Sequence, residues 1–462
     1  MCLRKHLRKE RNLFGMSVNI QPFLVEIEAH LKRDVIPYWR ARAVDPEHGG
    51  FLTNFDSNGD PLPCPEKYLN TQSRFIWWFS TLCGRYPADS HYARMARNGV
   101  DFLVRHFWDD SNGGWYWKTY ADGSPLDTAK IVYGQSFAIY ALSQYTHCVG
   151  DSRGLEYAAR TFDLLQKYAS DTLHGGYLEN LNAAWEQFPD DEGGVNRKGL
   201  DTHMHLMEAY TGLYAVSGVE VHRRKLLELV ELIKTRMVNA AYGCGRNQFD
   251  AAWNPLPAVA IMRTWNAERN GPGTAQPLDT TSYGHNVELC WLLHRALDVA
   301  KVDAAPYLSL THALVEHAVQ HGVDWEYGGI FRDGLPEGPA VVLEKEFWQH
   351  AEALVGFIDA YQRFGDARYF EAAECVWRFI LDHLAVSAGE WRTLMSRDGR
   401  TAIDGNLGNP WKDPYHTGRA LTESVDRLRS VLSSTQCDGS VLTRHEEGHN
   451  PAPQAMMEKT KG

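Results

Sequence analysis

Six times along its length this chain sets glycine in a short turn with an aromatic residue: HGGF at 48–51, NGGWYW at 112–117, HGGYLE at 174–179, AYGCGRNQF at 241–249, YGGIF at 327–331 and AGEW at 388–391. Most copies stand about 60 to 70 residues apart, and a regular period marks a chain assembled from repeats of one supersecondary unit. Two helix-length segments separate successive motifs, and the gap between the fourth and fifth is the longest. The pattern predicts about twelve helices, near 20–43, 66–86, 90–107, 128–147, 153–169, 200–217, 220–238, 282–300, 304–320, 344–364, 367–385 and 413–431.

These segments alternate in character. The seventh, VEVHRRKLLELVELIKTRM, sets Leu226, Leu229, Val230 and Ile233 at helical spacing, with Arg223, Arg224, Glu228, Glu231 and Lys234 opposite, so it has one wet face. The fourth, AKIVYGQSFAIYALSQY, and the tenth, FWQHAEALVGFIDAY, are apolar nearly all round, as helices enclosed by neighbours are. Outer and inner helices in alternation, one short turn per pair, describe an all-α ring of six hairpins, an (α/α)6 barrel. Eight parallel strands, the signature of the other common closed barrel, are not found. An open helical solenoid is the alternative, and closure explains the all-round burial better.

Composition narrows the function. With 58 acidic against 47 basic residues the net charge is −11, which gives no general attraction to nucleic acid or an anionic membrane. No apolar run approaches the roughly 20 residues of a membrane span, and residues 1–16 are a basic arm without the apolar core of a signal peptide. A cytoplasmic location is the expectation. Eight cysteines stand singly, with no CxxC pair. The boundaries follow: a disordered arm over 1–16, one catalytic barrel over 17–432 and a disordered polar tail over 433–462.

If the even-numbered helices line the barrel, their N-terminal turns share a rim. The second helix brings Asn70 and Arg74 there, the fourth Tyr133, the sixth His203, His205 and Glu208. The eighth brings His285 and Glu288, the tenth Glu346, Trp348 and Glu352, the twelfth Trp411, His416 and Arg419. His285 and Glu288 are three apart, on one helix face, so the carboxylate could orient the imidazole; an exposed surface pair would look the same. His205 and Glu208 repeat the spacing, where a core histidine bonded to a neighbouring helix is the rival reading. His203 and His205 lie about 200° apart, so at least one points elsewhere. His416, after Pro414, could cap or pack; Arg74 could clamp an oxyanion or pair with Glu346 or Glu352; Trp348 and Trp411 could stack on a sugar or fill the core.

Several histidines with carboxylates and arginine, but no cysteine cluster or HExxH, suit proton transfer better than metal catalysis, so no metal or cofactor is expected. Moving a proton on the carbon beside a sugar carbonyl needs a base with a pKa near working pH and a fixed positive or donor group for the enediolate. Return of the proton to C2 on the opposite face gives the 2-epimer, and return to C1 gives a ketose.

NTQSRFIWWFS, VYGQSFAIYAL, DTHMHLMEAY, SYGHNVELCWLL, KEFWQHAEALVGF and NPWKDPYHTGR together resemble the N-acylglucosamine 2-epimerase superfamily, over about residues 20 to 431. The branches most like it are the cellobiose 2-epimerases, mannose 2-epimerases and mannose isomerases. The resemblance implies an (α/α)6 barrel that epimerises or isomerises a reducing sugar without a required metal. Carried over motif by motif, it implies that His285 and His416 are the acid-base pair, with Glu288 the partner of His285. His205 would serve ring opening and hydroxyl binding, Arg74 and Tyr133 would contact substrate and enediolate, and Trp348 and Trp411 would be the sugar platforms. Glu352 and Asp201 are counted with the substrate contacts. Asp201 stands where family members often have Asn, and His350 where they often have Gln, which touches the sugar contacts rather than the chemistry. The insert around 250–280, with Trp253, Arg263, Trp265 and Arg269, is expected to be a substrate-shaping lid, against the alternative of a packed surface loop.

A sugar 2-epimerase is thus the leading expectation, with an aldose-ketose isomerase on the same site as the alternative. A glycoside hydrolase would need two carboxylates about 6.5 to 9.5 Å apart at the cavity centre, with Glu346, Glu352 or Asp201 serving. A non-catalytic sugar-binding protein would be expected to lack one of the two histidines. The sugar's identity is left open, and so is the oligomeric state, with a homodimer among the permitted forms.

Overall fold

A computed structural model of the protein describes residues 18–188, 197–256 and 280–446. Six outer helices alternate with six inner ones among these residues. The outer helices are α1 (Ile20–His30, prolonged through a π-helical turn at Leu31–Val35 into Ile36–Arg42), α3 (Ser90–His106), α5 (Ser152–Leu164), α7 (Glu220–Leu232), α9 (Ala305–His317) and α11 (Ala367–Phe379). The inner helices are α2 (Leu69–Arg85), α4 (Val132–Val149), α6 (Leu200–Ser217), α8 (Tyr283–Ala300), α10 (Phe347–Phe364) and α12 (Pro414–Glu446). Each inner helix packs on the next, and α12 returns to α2, so the ring closes. Arg85 of α2 reaches Asp426 of α12 across that seam at 2.6 Å. The expected (α/α)6 barrel is the fold.

The division into inner and outer follows from the apolar pattern. On α3 the buried side chains are Tyr92, Met95, Ala96, Val100, Phe102 and Leu103, a single stripe at helical spacing, and Asp89 caps the helix by accepting from the His91 N–H. On α4 every residue from Val132 to Ser143 is buried, because neighbours cover it on all sides. Full burial of one such leucine stabilises the fold by about 1.5–3 kcal/mol.

α12 runs to Glu446, past the expected end near 431 and into the stretch read as a disordered tail. No proline occurs between Tyr415 and Asn450, so no residue there removes a backbone N–H from the helix where its apolar pattern fades. The basic arm over 1–16 lies outside the described residues.

Each Gly-aromatic turn joins an outer helix to the next inner one, with short antiparallel strands such as β1 (Glu66–Tyr68), β2 (Lys118–Tyr120) and β3 (Pro125–Asp127) that form no closed sheet. Two contacts recur at these turns. A lysine two residues before the inner helix meets an acid of the preceding turn: Lys67 with Asp45 at 2.7 Å, Lys130 with Asp109 at 2.8 Å, Lys198 with Asp171 at 2.7 Å, Lys345 with Asp324 at 3.2 Å and Lys412 with Glu390 at 3.1 Å. The turn before α8 has Asn239 and Thr281 in these places. The fourth residue of the inner helix then accepts a backbone N–H from the turn: Gln72 from Phe51 at 2.9 Å, Gln135 from Trp115 at 3.0 Å, His203 from Tyr177 at 3.0 Å, Asn286 from Gly245 at 2.8 Å and His350 from Ile330 at 3.2 Å. Gly329 must be glycine: its φ is 75°, and a Cβ there would lie 2.4 Å from Nε2 of His350.

Candidate active site

The fourth position of an inner helix faces the outer layer. The sixth faces the barrel axis, which places Arg74, Phe137, His205, Glu288, Glu352 and Arg419 in one layer beneath the rim. The Arg74 guanidinium lies 4.3 Å from the Phe137 ring, whose centroid is 4.8 Å from that of His205. Above this layer is a cavity of about 250 Å³ whose lining includes Arg74, Tyr133, His205, His285, Trp348, Trp411 and His416. Glu346 lines it too, so eight of the residues picked out from sequence converge, although they lie on six different helices or their approaches.

The cavity side chains are held from behind. Nδ1 of His416 is 2.7 Å from Glu352, and Nδ1 of His205 is 3.0 Å from Glu208. With Nδ1 engaged by a carboxylate, Nε2 is the free nitrogen of each ring. Burial pushes the His416 imidazole well below the usual histidine range, and the charges of Arg74 and Arg419 add to this; burial also lowers His205. Both shifts favour the deprotonated ring, the form that can accept a proton. Burial works to raise Glu208, but Arg419 and His205 hold it down at about 2. Burial also raises Glu288 and Glu352, with Arg419 pulling the other way. The Trp348 indole packs against both His285 and His416, with ring centroids 4.7 and 5.7 Å away. Arg74 donates to the Tyr133 hydroxyl at 2.8 Å and pairs with Asp413 at 3.6 Å, not with Glu346 or Glu352. Burial lifts the Asp413 carboxyl to about 6 against the pull of Arg74.

Three expected substrate or catalytic groups sit elsewhere. Glu288 shares a helix face with His285, but its hydrogen bond goes to Arg419 at 2.5 Å, because the sixth-position layer offers it a cation. Glu352 lies behind His416 instead of on the cavity wall. Asp201 is not among the described lining residues; its Oδ1 accepts the Thr202 N–H at 2.7 Å in the first turn of α6. His350, like His203, serves its turn and does not line the cavity. Trp253 is no lid residue: its indole donates to the His174 carbonyl at 2.9 Å and covers Lys198. Arg263, Trp265 and Arg269 lie outside the described residues.

The sequence reading missed Arg332, Thr393, Asp404 and Asn409, which also line the cavity. Arg332 lies 3.5 Å from Glu346, another lining residue. A signal existed: Arg332 and Thr393 follow the fifth and sixth Gly-aromatic motifs, where the chain passes back over the rim.

Two groups among the described residues have the chemistry of metal ligands. In the first, Arg419 lies 2.5 Å from Glu288 and 2.8 Å from Glu352, so a guanidinium already supplies the cation those carboxylates would share. In the second, Cys290, His294 and Asp359, the His294 nitrogens are taken by Asp359 at 2.6 Å and Thr311 at 3.0 Å, and Arg427 pairs with Asp359 at 2.6 Å. Neither donor set is poised for an ion.

Fold and site together define an (α/α)6 barrel with a histidine-lined cavity at the N-terminal ends of its inner helices. Residues 49–420 match the family model for N-acylglucosamine 2-epimerase, and the chain belongs to that family, as an enzyme of the isomerase class. It is 30% identical to a cellobiose 2-epimerase of Bacteroides fragilis, over 86% of this chain and 97% of that one. It is 24% identical to a D-mannose isomerase of Marinomonas mediterranea, over 87% and 97% of the two chains. The solved structure of cellobiose 2-epimerase from Spirochaeta thermophila superposes with a TM-score of 0.78 at 29% identity, covering 89% of this chain and 98% of the other.

Proposed function

We propose that this protein epimerises a reducing aldose at C2, with His285 and His416 as the acid-base pair. The observation that carries this reading is the arrangement of groups around the cavity: His205, His285 and His416 line it, while Glu208 and Glu352 stand behind two of them as orienting partners. One histidine removes the C2 proton, Arg74 and Tyr133 stabilise the enediolate oxygen, and the second histidine returns a proton to the other face. His205 serves ring opening and hydroxyl binding, and Trp348 and Trp411 support the sugar ring. The hydrolase reading is disfavoured, because Glu352 is turned to His416 and Arg419, and Glu346 is opposed by Arg332.

Likeness to a D-mannose isomerase keeps the aldose-ketose reaction as a second reading on the same site. Incubation in D₂O with mannose, N-acetylglucosamine and cellobiose, followed by NMR, tests both. A 2-epimer labelled at C2 is expected; a ketose labelled at C1 selects the isomerase, and cleavage of cellobiose overturns both. The reading extends to a cytoplasmic enzyme without nucleic-acid or membrane partners, with a homodimer among the permitted forms. The net charge of −11 gives no general attraction to nucleic acid or an anionic membrane, and no helix among the described residues is long and apolar enough to cross a membrane.

A further inference from the structure

Arg419 is not among the residues lining the cavity, yet it joins the supports of two histidines that are. Its guanidinium donates to Glu208 and to the Tyr415 hydroxyl through one nitrogen, and through the other to Glu288 at 2.5 Å and Glu352 at 2.8 Å. Glu208 in turn holds His205 at 3.0 Å, and Glu352 holds His416 at 2.7 Å while accepting from the Trp291 indole at 3.1 Å. Arg419, Glu288 and Glu352 have no exposed surface, so no water competes for these contacts. A planar fork spans carboxylates from different helices, which a point charge does not.

We infer that Arg419 is a shared positioning residue that sets the orientation of both His205 and His416 through Glu208 and Glu352. Its partners come from α6, α8 and α10, so it also fixes three inner helices against α12 at the depth where the histidines leave the wall. The inference rests on the histidine chemistry proposed above.

The groups facing this network are Arg74 from α2, Tyr140 from α4, His205 and Glu208 from α6, Glu288 and Arg295 from α8, Glu352 from α10, and Tyr415, His416 and Glu423 from α12. Arg419 opposes protonation of both imidazoles. Arg419→Met removes that charge and leaves Glu208 and Glu352 uncompensated, so both rings keep a proton to higher pH.

The test compares Arg419→Lys, Arg419→Met and, in parallel, His416→Ala by C2 proton exchange in D₂O, with kcat, KM and the pH profile. The Lys variant keeps the charge and loses the fork: kcat is expected to fall about 100-fold with KM little changed, the scale of a catalytic group misplaced by about 1 Å. The Met variant is expected to move the acid limb of kcat/KM upward by about one pH unit or more, which a merely structural residue would not do. If Arg419→Met does not fold, Arg419→Lys decides. A Lys variant with kcat near wild type, or a folded Met variant with an unmoved limb, overturns the inference while an inactive His416→Ala leaves the histidine chemistry standing. An active His416→Ala overturns that chemistry, and the role of Arg419 with it.

Discussion

His203 and His205 stand two positions apart on α6 and face opposite ways. His203 accepts the Tyr177 N–H at 3.0 Å on the outer side, whereas His205 reaches the cavity and bonds Glu208 at 3.0 Å. The first does the work that Gln72 and Gln135 do on α2 and α4. His203→Gln is therefore expected to keep turnover and stability near wild type. His203→Ala leaves a buried N–H without its acceptor and should lose about 1–3 kcal/mol in denaturant unfolding. His205→Gln should keep the fold and lose most turnover.

Acid should destabilise the barrel through its buried histidines. Burial pushes His203 down to about 4 and His350 down to about 3. Both are lowered in the folded state, so the unfolded chain takes up protons first as pH falls below about 6.5. The stability contributed by these neutral rings is full above that pH and is lost progressively toward pH 4 for His203 and pH 3 for His350. Between the two pKa values the slope approaches about 1.4 kcal/mol per pH unit for each ring. Unfolding of wild type and His203→Gln between pH 7 and 4 checks this: the variant should show a shallower fall.

The repeated lysine-acid pairs make another prediction. Lys130 has no exposed surface and meets Asp109 at 2.8 Å. Lys130→Met strands a buried carboxylate and should cost about 3–5 kcal/mol of stability with little change in kcat of the folded fraction.

Arg332 lines the cavity 3.5 Å from Glu346, which is not one of the carboxylates that hold His205 and His416. Arg332→Ala should raise KM about tenfold, the scale of one charge-assisted hydrogen bond to substrate, with kcat little changed. Steady-state kinetics on the sugar found active in D₂O would show it.

Much of this was legible in the sequence because the fold is a repeat. One motif period dictates six hairpins, and the contrast between a one-faced helix such as α7 and an all-round apolar one such as α4 separates outer from inner. Convergence of Arg74, Tyr133, His205, His285, Trp348, Trp411 and His416 follows from that geometry and from the family resemblance. What stayed hidden depends on partners distant in sequence. The i,i+3 spacing of His285 and Glu288 suggests a pair, but which cation Glu288 meets is decided by α12, far along the chain. Spacing likewise required only that one histidine of His203 and His205 point away, since the backbone N–H of Tyr177 is brought there by a turn. Trp253 read as a lid residue because it opens the long insert, whereas its AAW sequence repeats that of Trp185, which packs on the preceding turn in the same manner.

The most direct measurement follows the sugar C2 proton in D₂O for wild type, His285→Ala and His416→Ala, with circular dichroism confirming the fold of each. The two-histidine site predicts rapid C2 labelling and interconversion of epimers by the wild type, and no interconversion by either variant. Interconversion near the wild-type rate by either one would contradict it.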